Sequence, residues 1–348
     1  MPKKSPSRST PSRKQQHVEL TLARDVGFRR KTTGLEGLEF EHNALPELDL
    51  ADVDPSTDFL GRRIAFPLLI SSMTGGYRDA LMINRRLAEA CEETGIPMGV
   101  GSQRQALEDS RYHRTFRIVR EVAPSIPVIG NIGAAEVALM SSADPARRLV
   151  DLIGADALAV HLNPLQELLQ PEGTPVFSGV LAGIGRLVRA LSVPVMVKEI
   201  GAGLSVGVVK RLLETGVRYI DVAGAGGTSW AGVEILRNTK RSPTDPFWDW
   251  GIPTVRALTA AARLKDPSRP FTLIASGGIE SGHDIAKCIA LGADMTGAAR
   301  PLLRALRSRG PRGLRSVLDQ WLTEIRFVMF LTGSRTITAL ARAPLVRY

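Results

Sequence analysis

Residues 126–133 read IPVIGNIG, a short apolar run that ends in a glycine turn, and the repetition of this pattern decides the fold. Near-continuous Val, Ile and Leu is typical of parallel strands that are buried on both faces. A turn and then a helical period follow each run, which indicates βα units. The other runs are AFPLLISSMTGG (65–76), IPMGVGSQR (96–104), ADALAVHLN (155–163), VPVMVKEIG (193–201), YIDVAGAGGTS (219–229), FTLIASGG (271–278) and DMTGAAR (294–300).

Eight βα units in a chain of 348 residues predict an α/β fold, a closed (β/α)8 or TIM barrel, rather than an open doubly wound sheet. Helical patterns such as residues 79–93 and 145–153 separate neighbouring runs. Function in this fold is located at the carboxyl ends of the strands. The residues in the turn after each run are therefore the candidates for function.

The composition is that of an ordinary globular protein, with 44% hydrophobic residues and a net charge of +10. This charge would suit nucleic acid, a membrane surface or a small anionic substrate, and charge alone does not choose among them. The Arg residues are spread over predicted helices without a basic stripe interleaved with aromatic residues, so we expect neither a nucleic-acid nor a membrane partner. Cys91 and Cys288 lie in helical patterns without a partner motif, which predicts two reduced thiols.

The first residues differ in composition from the rest of the chain. Residues 1–12 mix Ser, Pro, Lys and Arg with almost nothing apolar, which predicts a disordered basic arm. Residues 13–348 are expected to form a single barrel domain, with an irregular stretch to about residue 64. The sequence has no apolar run of about 20 residues and no apolar core of a secretory signal, so we expect a cytoplasmic location.

The turns after the last two runs predict a phosphate site. Ser276, Gly277 and Gly278 follow the seventh run, and the eighth ends in GAAR at residues 297–300. Glycines let backbone N–H groups approach a phosphate, and the N-terminus of the following helix adds a favourable dipole. The pattern indicates a phosphorylated ligand of any kind, and tight turns without a ligand are the alternative.

Polar side chains at other strand ends can act on such a ligand. Lys198 would project into the barrel mouth, where a cation stabilises developing negative charge, unless it pairs with Glu199 or another carboxylate. Asn131 and Thr228 can hydrogen-bond a flat heterocycle or a phosphate. The segment HLNPLQE at residues 161–167 offers donors for phosphate oxygens and a carboxylate for Mg²⁺, the mixture that a metal-bound diphosphate needs.

A second glycine pattern partly imitates a dinucleotide fingerprint. Gly201, Gly203 and Gly207 follow the fifth run, and Asp221 comes about 20 residues later. The glycine spacing departs from the fingerprint, and the segment follows the fifth of eight strands instead of opening a two-domain chain. We therefore do not predict dinucleotide binding by this segment.

The sequence resembles the type 2 isopentenyl diphosphate isomerases from Arg13 to the C-terminus. The motifs that carry the resemblance are specific as a set: RKQQH, HNALPELDL, SSMTGG, GVGSQR, GNIGA, HLNPLQE, PEG, VKEIGAG, GAGGTSW, WGIPT, SGGI and GAAR. It departs from the family pattern at Gln15 and Gln16, where acidic residues are common, and in the basic extension of residues 1–12.

The resemblance implies an FMN-binding barrel that interconverts isopentenyl diphosphate and dimethylallyl diphosphate. It implies that reduced FMN is the acid–base catalyst, that NADPH reduces the FMN, that Mg²⁺ assists, and that the chain forms a tetramer or octamer. Gln166 and Lys198 would be catalytic, and Glu167 would hold Mg²⁺. The diphosphate would contact Arg13, Lys14, His17, Arg104, His161, Asn163 and Gln166. Because the first three of these residues precede the first strand, the resemblance also implies that this N-terminal segment folds over the barrel mouth and covers the substrate. FMN would contact Ser72, Met73, Thr74, Ser102, Asn131, Lys198, Thr228, Gly277, Gly278, Ala298 and Ala299.

Other functions make different demands on the sequence. An enzyme similar to the IMP dehydrogenases needs a nucleophilic Cys at a strand end, and neither Cys91 nor Cys288 lies at one. A 2-hydroxy acid oxidase needs a His–Arg pair near the seventh strand, where His283 falls within the start of the following helix. A nucleic-acid-binding protein would rest only on the net charge and the basic arm.

Overall fold

The computed structural model describes residues 10–347, and its N-terminal part differs from the expected irregular stretch. It contains a helix, α1 (Thr10–Ala23), and three short strands, β1 (Leu38–Phe40), β2 (Thr57–Phe59) and β3 (Arg62–Ile64). Residues 10–12 are helical, so the boundary expected at residue 12 falls inside α1, while residues 1–9 lie outside the described residues. A mostly polar segment becomes helical here because one of its faces packs on the barrel, a tertiary contact that composition does not reveal.

The eight apolar runs form eight parallel strands that close into a barrel, as predicted. The last strand pairs with the first, with Thr296 opposite Leu68. Since every strand is parallel, all carboxyl ends lie on one rim. The barrel strands are β4 (Leu68–Ile70), β5 (Met98–Gly99), β6 (Val128–Gly133), β7 (Ala157–Leu162), β8 (Val195–Glu199), β9 (Tyr219–Asp221), β10 (Thr272–Ser276) and β11 (Met295–Ala298).

Helices surround the barrel and bury the outer faces of its strands. The longest helix is interrupted at Gly310, which has φ 66° and ψ −168° and precedes Pro311. The helices are α2 (Ala80–Thr94), α3 (Arg104–Glu108), α4 (Arg114–Val122), α5 (Ala134–Leu139), α6 (Asp144–Ile153), α7 (Pro164–Leu169), α8 (Val180–Ala190), α9 (Val206–Glu214), α10 (Trp230–Arg237), α11 (Thr254–Ala262), α12 (Gly282–Ala290), α13 (Arg300–Leu331) and α14 (Ile337–Leu340). Short 3-10 helices span Leu35–Gly37, Leu50–Asp52, Ser110–Tyr112 and Pro246–Asp249.

The N-terminal end of the barrel is closed by the hairpin of β2 and β3. Phe59 and Ile64 of this hairpin pack against inward-facing residues of the barrel, among them Leu69, Met196 and Met295. A separate antiparallel pair joins β1 to β12 (Leu345–Arg347) at the end of the chain. With the N-terminal end closed, the carboxyl rim is the end of the barrel that can admit a ligand.

The carboxyl ends of β9 and β10 approach closely, and this approach explains one glycine of the predicted phosphate turn. Gly277 has φ 99°, and a Cβ on it would lie 2.0 Å from the carbonyl oxygen of Gly224. Such a distance is impossible without moving the backbone. Gly277 is therefore needed for loop packing as well as for any approach to a ligand.

We predict that Gly277→Ala destabilises the protein far more than Gly61→Ala. Gly61 also has positive φ, 75°, but a Cβ there meets nothing within 4 Å. Gly61→Ala should cost about 1 kcal/mol, the penalty for a left-handed L-residue. Gly277→Ala adds overpacking and should cost about 3 kcal/mol or more. Thermal denaturation of both variants measures this, and equal losses would contradict it.

Candidate active site

A cavity of about 370 Å³ opens at the carboxyl ends of the barrel strands. Its size lies within the range of small-molecule sites in proteins. It brings together every predicted contact, whose individual roles remain predictions. The residues predicted for FMN that line it are Ser72, Met73, Thr74, Ser102, Asn131, Lys198, Thr228, Gly277, Gly278, Ala298 and Ala299. Those predicted for substrate and metal are Arg13, Lys14, His17, Arg104, His161, Asn163, Gln166 and Glu167.

One wall of the cavity presents free backbone donors. The N–H groups of Gly277, Gly278 and Ala299 donate no hydrogen bond to any part of residues 10–347. Ala299 is also the cap residue of α13, so the N-terminus of that helix faces the cavity. Free N–H groups together with the positive end of a helix dipole form a suitable site for a phosphate group.

A lysine and an aspartate lie side by side beneath the cavity. Lys198 is buried at the end of β8, and its Nζ donates to the backbone oxygen of Glu199 at 2.5 Å. The same Nζ lies 3.8 Å from Oδ2 of Asp221 on the adjacent strand β9. The alternatives raised for Lys198 therefore coexist, because it lines the cavity and also has a carboxylate nearby. The carboxylate of Glu199 itself accepts the N–H groups of residues 200–202.

His161 lies next to Lys198 on the neighbouring strand β7 and is uncharged near neutral pH. Burial, together with the charges of Lys198 and Lys14, lowers its pKa to about 3. Its Nδ1 lies 2.8 Å from Oδ1 of Asn131, which fixes the plane of the ring. A neutral His161 can bind a diphosphate by a hydrogen bond but adds no charge of its own.

Hydrogen bonds of side-chain amides and carboxylates order Asn163 and the helix α7 that follows it. Nδ2 of Asn163 donates to Gln166 and to Glu167, at 3.1 Å in each case. Nε2 of Gln166 donates to Oε1 of Glu234 on α10 at 3.0 Å, so its amide is held from both sides. The other oxygen of Glu167 accepts from Gln170 and from the backbone of Thr174. Gln166 and Glu167 are thereby held in defined orientations at the cavity.

Helix α1, near the N-terminus of the chain, covers the cavity at the carboxyl ends of the strands. The residues that face the cavity share the periodicity of one helix face: Arg13, Lys14, His17, Val18 and Thr21. The Nζ of Lys14 donates to the carbonyls of Gly75 and Ser102, at 2.9 and 2.6 Å. At the opposite end, Arg300 donates to the carbonyls of Thr21 and Arg24 and so binds the last turn of the helix. Contacts at both ends thus hold α1 over the mouth.

Two carboxylates that the sequence did not reveal lie beside basic side chains on the α1 side of the cavity. Glu136 on α5 lies 3.0 Å from Arg104, and Glu234 on α10 lies 2.8 Å from His17. Burial alone would raise the pKa of Glu234, but His17, Arg237 and Gln166 together bring it below the usual value. The position of Glu136, in the helix turn directly after GNIGA, could have identified it. Nothing in the local sequence of Glu234 marks it, because its partners come from α1 and α7.

The residues of the cavity fit a flavin nucleotide. The hydroxyls of Ser71 and Thr74 are buried at the cavity and have no hydrogen-bond partner among the described residues. Buried hydroxyls without partners are costly, and a polar heterocycle bound beside them would satisfy them. The cation of Lys198, the apolar surface of Met73 and the free N–H groups of the phosphate wall complete a site with separate places for a ring and a phosphate.

The cavity fits Mg²⁺ only together with a ligand. No group of three or more His, Cys, Asp or Glu side chains suited to a metal occurs within residues 10–347. Mg²⁺ in proteins is often held by one or two carboxylates together with phosphate oxygens and water. Glu167 supplies one carboxylate at the cavity, which is sufficient for a metal that arrives with a diphosphate.

A model of the FMN-dependent dehydrogenase family matches residues 7–118 and 177–347. With the closed barrel and its rim cavity, this match defines an FMN-binding (β/α)8-barrel protein. Proteins named isopentenyl-diphosphate delta-isomerase are similar to this chain over nearly its whole length. Those of Chlorobaculum parvum and Synechococcus sp. are both 48% identical over 97% of this chain and 97% of their own length, and that of Chlorobium phaeovibrioides is 49% identical over 95% and 96%. The chain belongs to the isopentenyl-diphosphate delta-isomerase family, in its FMN-dependent type 2 form.

Solved structures of mandelate oxidase share the fold. One with a bound monooxide FMN adduct has a TM-score of 0.67 at 19% identity, and one with (S)-mandelic acid has a TM-score of 0.68 at 19% identity. They cover 95–96% of this chain and 94–95% of their own chains. At this identity the likeness concerns the fold alone.

The residues that the rival activities would need lie elsewhere. His283 is on α12, stacks on Phe40 and does not line the cavity. Cys91 and Cys288 are fully buried in α2 and α12, and burial raises the pKa of both thiols.

Among the described helices, none has the length and apolar content to cross a membrane.

Lys14 generates a prediction about pH. Burial and then the neighbouring Arg13 lower its pKa to about 7, so in the ligand-free protein its charge is present below pH 7 and lost above it. Because the predicted contact of Lys14 with the diphosphate needs the charged form, we expect KM to rise above pH 7 by up to about tenfold per pH unit. Steady-state kinetics from pH 6 to 9 measure this. Lys14→Arg keeps its charge throughout and should flatten the rise. Identical profiles for both proteins would exclude Lys14 as its origin.

Proposed function

We propose that this protein interconverts isopentenyl diphosphate and dimethylallyl diphosphate with reduced FMN as the acid–base catalyst. The observation that carries the proposal is that one cavity combines free backbone donors and unpartnered hydroxyls on one side with basic side chains on the other. Identity of 46–49% to isopentenyl-diphosphate delta-isomerases over nearly the whole chain supports the same assignment. The isomerisation moves a double bond by adding one proton and removing another, so it changes no oxidation state.

Two halves of the cavity would divide the work. The wall of Gly277, Gly278 and Ala299 would bind the FMN phosphate, and Lys198 would stabilise negative charge on the reduced ring. When bound, reduced FMN supplies the proton donor and acceptor. Across the cavity, Arg13 and Lys14 of α1 would bind the substrate diphosphate.

Two side chains of helix α7, directly after β7, would act on the substrate itself. Gln166, held by Asn163 and Glu234, would orient the alkene or relay a proton. Glu167 would hold Mg²⁺ on the diphosphate. Met73 and Trp230 would exclude water from the cation-like transition state, because both line the cavity with apolar surface.

Further features of the proposal follow from the family resemblance. We propose NADPH as the reductant that loads the flavin with electrons, a homo-oligomer of four or eight chains, and a cytoplasmic location. The exposed apolar side chains Leu139 on α5 and Leu181 on α8 are compatible with contacts between copies.

The reaction should need reduced flavin and Mg²⁺ without consuming reductant. Purified protein should bind FMN and, after one reduction by dithionite, catalyse many turnovers, because substrate and product are isomers. Product analysis under anaerobic conditions and the absorbance of the flavin measure both quantities. Protein that cannot bind added FMN, or NADPH oxidation that matches turnover one to one, would contradict the proposed function.

Gln166 and Glu167 should fail in different ways. Glu167→Gln removes the metal carboxylate, so the Mg²⁺ concentration for half-maximal activity should rise about tenfold, the equivalent of 1.4 kcal/mol, and excess Mg²⁺ should restore activity. Gln166→Leu should lower kcat by roughly tenfold to a hundredfold with FMN binding retained, because about 1–3 kcal/mol of transition-state interaction is lost. Added Mg²⁺ should not restore it.

Leu168→Ala provides the matched control on the same helix. Leu168 is 54% exposed and lies next to Glu167 in α7, so its removal should leave both the metal dependence and kcat unchanged. Normal turnover by Gln166→Leu, together with loss of FMN from Glu167→Gln, would show that this loop contacts the cofactor and not the substrate.

A further inference from the structure

Asp221 is the acidic residue that follows the glycines of the apparent dinucleotide fingerprint. The proposed function gives it no role. It is fully buried at the carboxyl end of β9, opposite Lys198 on β8 and Ile274 on β10. Its position beneath the cavity is fixed by two strand pairings. A buried carboxylate needs a counter-charge or several donors to be stable, so its surroundings determine what it can do.

The two carboxylate oxygens of Asp221 have different surroundings. Oδ1 accepts from the hydroxyl of Ser276 at 2.7 Å and from the N–H of Ala223 at 3.1 Å. Oδ2 accepts no hydrogen bond from the described residues, and the Nζ of Lys198 lies 3.8 Å from it. Ser276 and Ala223 therefore fix the carboxylate so that its free oxygen faces the lysine.

Two other ionisable groups lie near Lys198, and neither forms an ion pair with its Nζ. His161 on β7 is neutral, because burial and two neighbouring cations hold its pKa low. The carboxylate of Glu199 is turned to the backbone N–H groups of the next loop, and only its main-chain oxygen contacts Lys198. Within residues 10–347, the ion pair of Lys198 is with Asp221. Burial raises the pKa of Asp221, and the charge of Lys198 opposes that rise.

We propose that Asp221 is a positioning residue that holds Lys198 beside the flavin and offsets its charge, and thereby sets the balance between oxidised and reduced FMN. The inference rests on FMN binding in the proposed function. With the pair intact, the charges of Lys198 and Asp221 sum to zero beneath the ring. Without the aspartate, a net positive charge remains, which favours the more negative reduced flavin.

The test compares Asp221→Asn with the unaltered protein. Asparagine has the same shape and can still accept from Ser276, so the fold should be retained. The dissociation constants of oxidised and reduced FMN are measured by fluorescence and anaerobic titration. Their ratio should shift about tenfold towards the reduced form, which corresponds to a rise of about 30 mV in the two-electron potential. Asp221→Ser also removes the charge and should give the same shift, so failure of one variant to fold does not remove the test.

A double-mutant cycle separates this role from a merely structural one. In a Lys198→Met background the buried Asp221 has no counter-charge and should take up a proton, so Asp221→Asn should then change the ratio little. An unchanged ratio in both Asp221 variants, or an equal shift with and without Lys198, would overturn the inference. If the unaltered protein bound no FMN, the proposed function itself would fail. A normal holoenzyme with no shift would remove only the role of Asp221.

Discussion

Closure of the eight-stranded barrel is the constraint on which the rest of the molecule depends. The pairing of β11 with β4 consumes the hydrogen bonds of both edge strands, so the free backbone donors remain in the loops beyond the strand ends. Because the strands are parallel, these loops lie on one rim, and Ser72 and Ala298, at opposite ends of the barrel sequence, line the same cavity. The β2–β3 hairpin closes the other end, which leaves a single entrance.

The two sides of the cavity are built in different ways. The side proposed for the flavin consists of strand ends and glycine loops in close backbone contact. The side proposed for the diphosphate consists of basic side chains that already have partners within the protein: Arg104 pairs with Glu136, His17 contacts Glu234, and Lys14 donates to two carbonyls. A diphosphate must replace part of these contacts. On the second side a ligand thus has to compete with contacts inside the protein, whereas the first side offers backbone N–H groups that have no such partners among the described residues.

The sequence predicts the barrel strands well because each strand buries both faces, and buried β-branched runs leave a strong local pattern. The family motifs likewise predict which residues reach the cavity. The family motif predicts that the N-terminal segment covers the mouth, but its helical conformation escapes prediction, because the stability of α1 comes from contacts with distant loops, such as those of Arg300 with Thr21 and Arg24. Glu234 and Asp221 escape for the same reason. Their roles depend on contacts with residues of other helices and strands, and no residue spacing along the chain predicts these contacts.

The direction of α1 has a practical consequence for anyone who attaches something to this protein. Arg13 lies within the first turn of this helix and lines the cavity, so anything attached to the N-terminus is joined through residues 1–9 to the helix that covers the entrance. The other terminus leaves from β12, which pairs with β1, and neither strand lines the cavity. Fusion partners and immobilisation chemistry therefore belong at the carboxyl end, where they leave the substrate's route open.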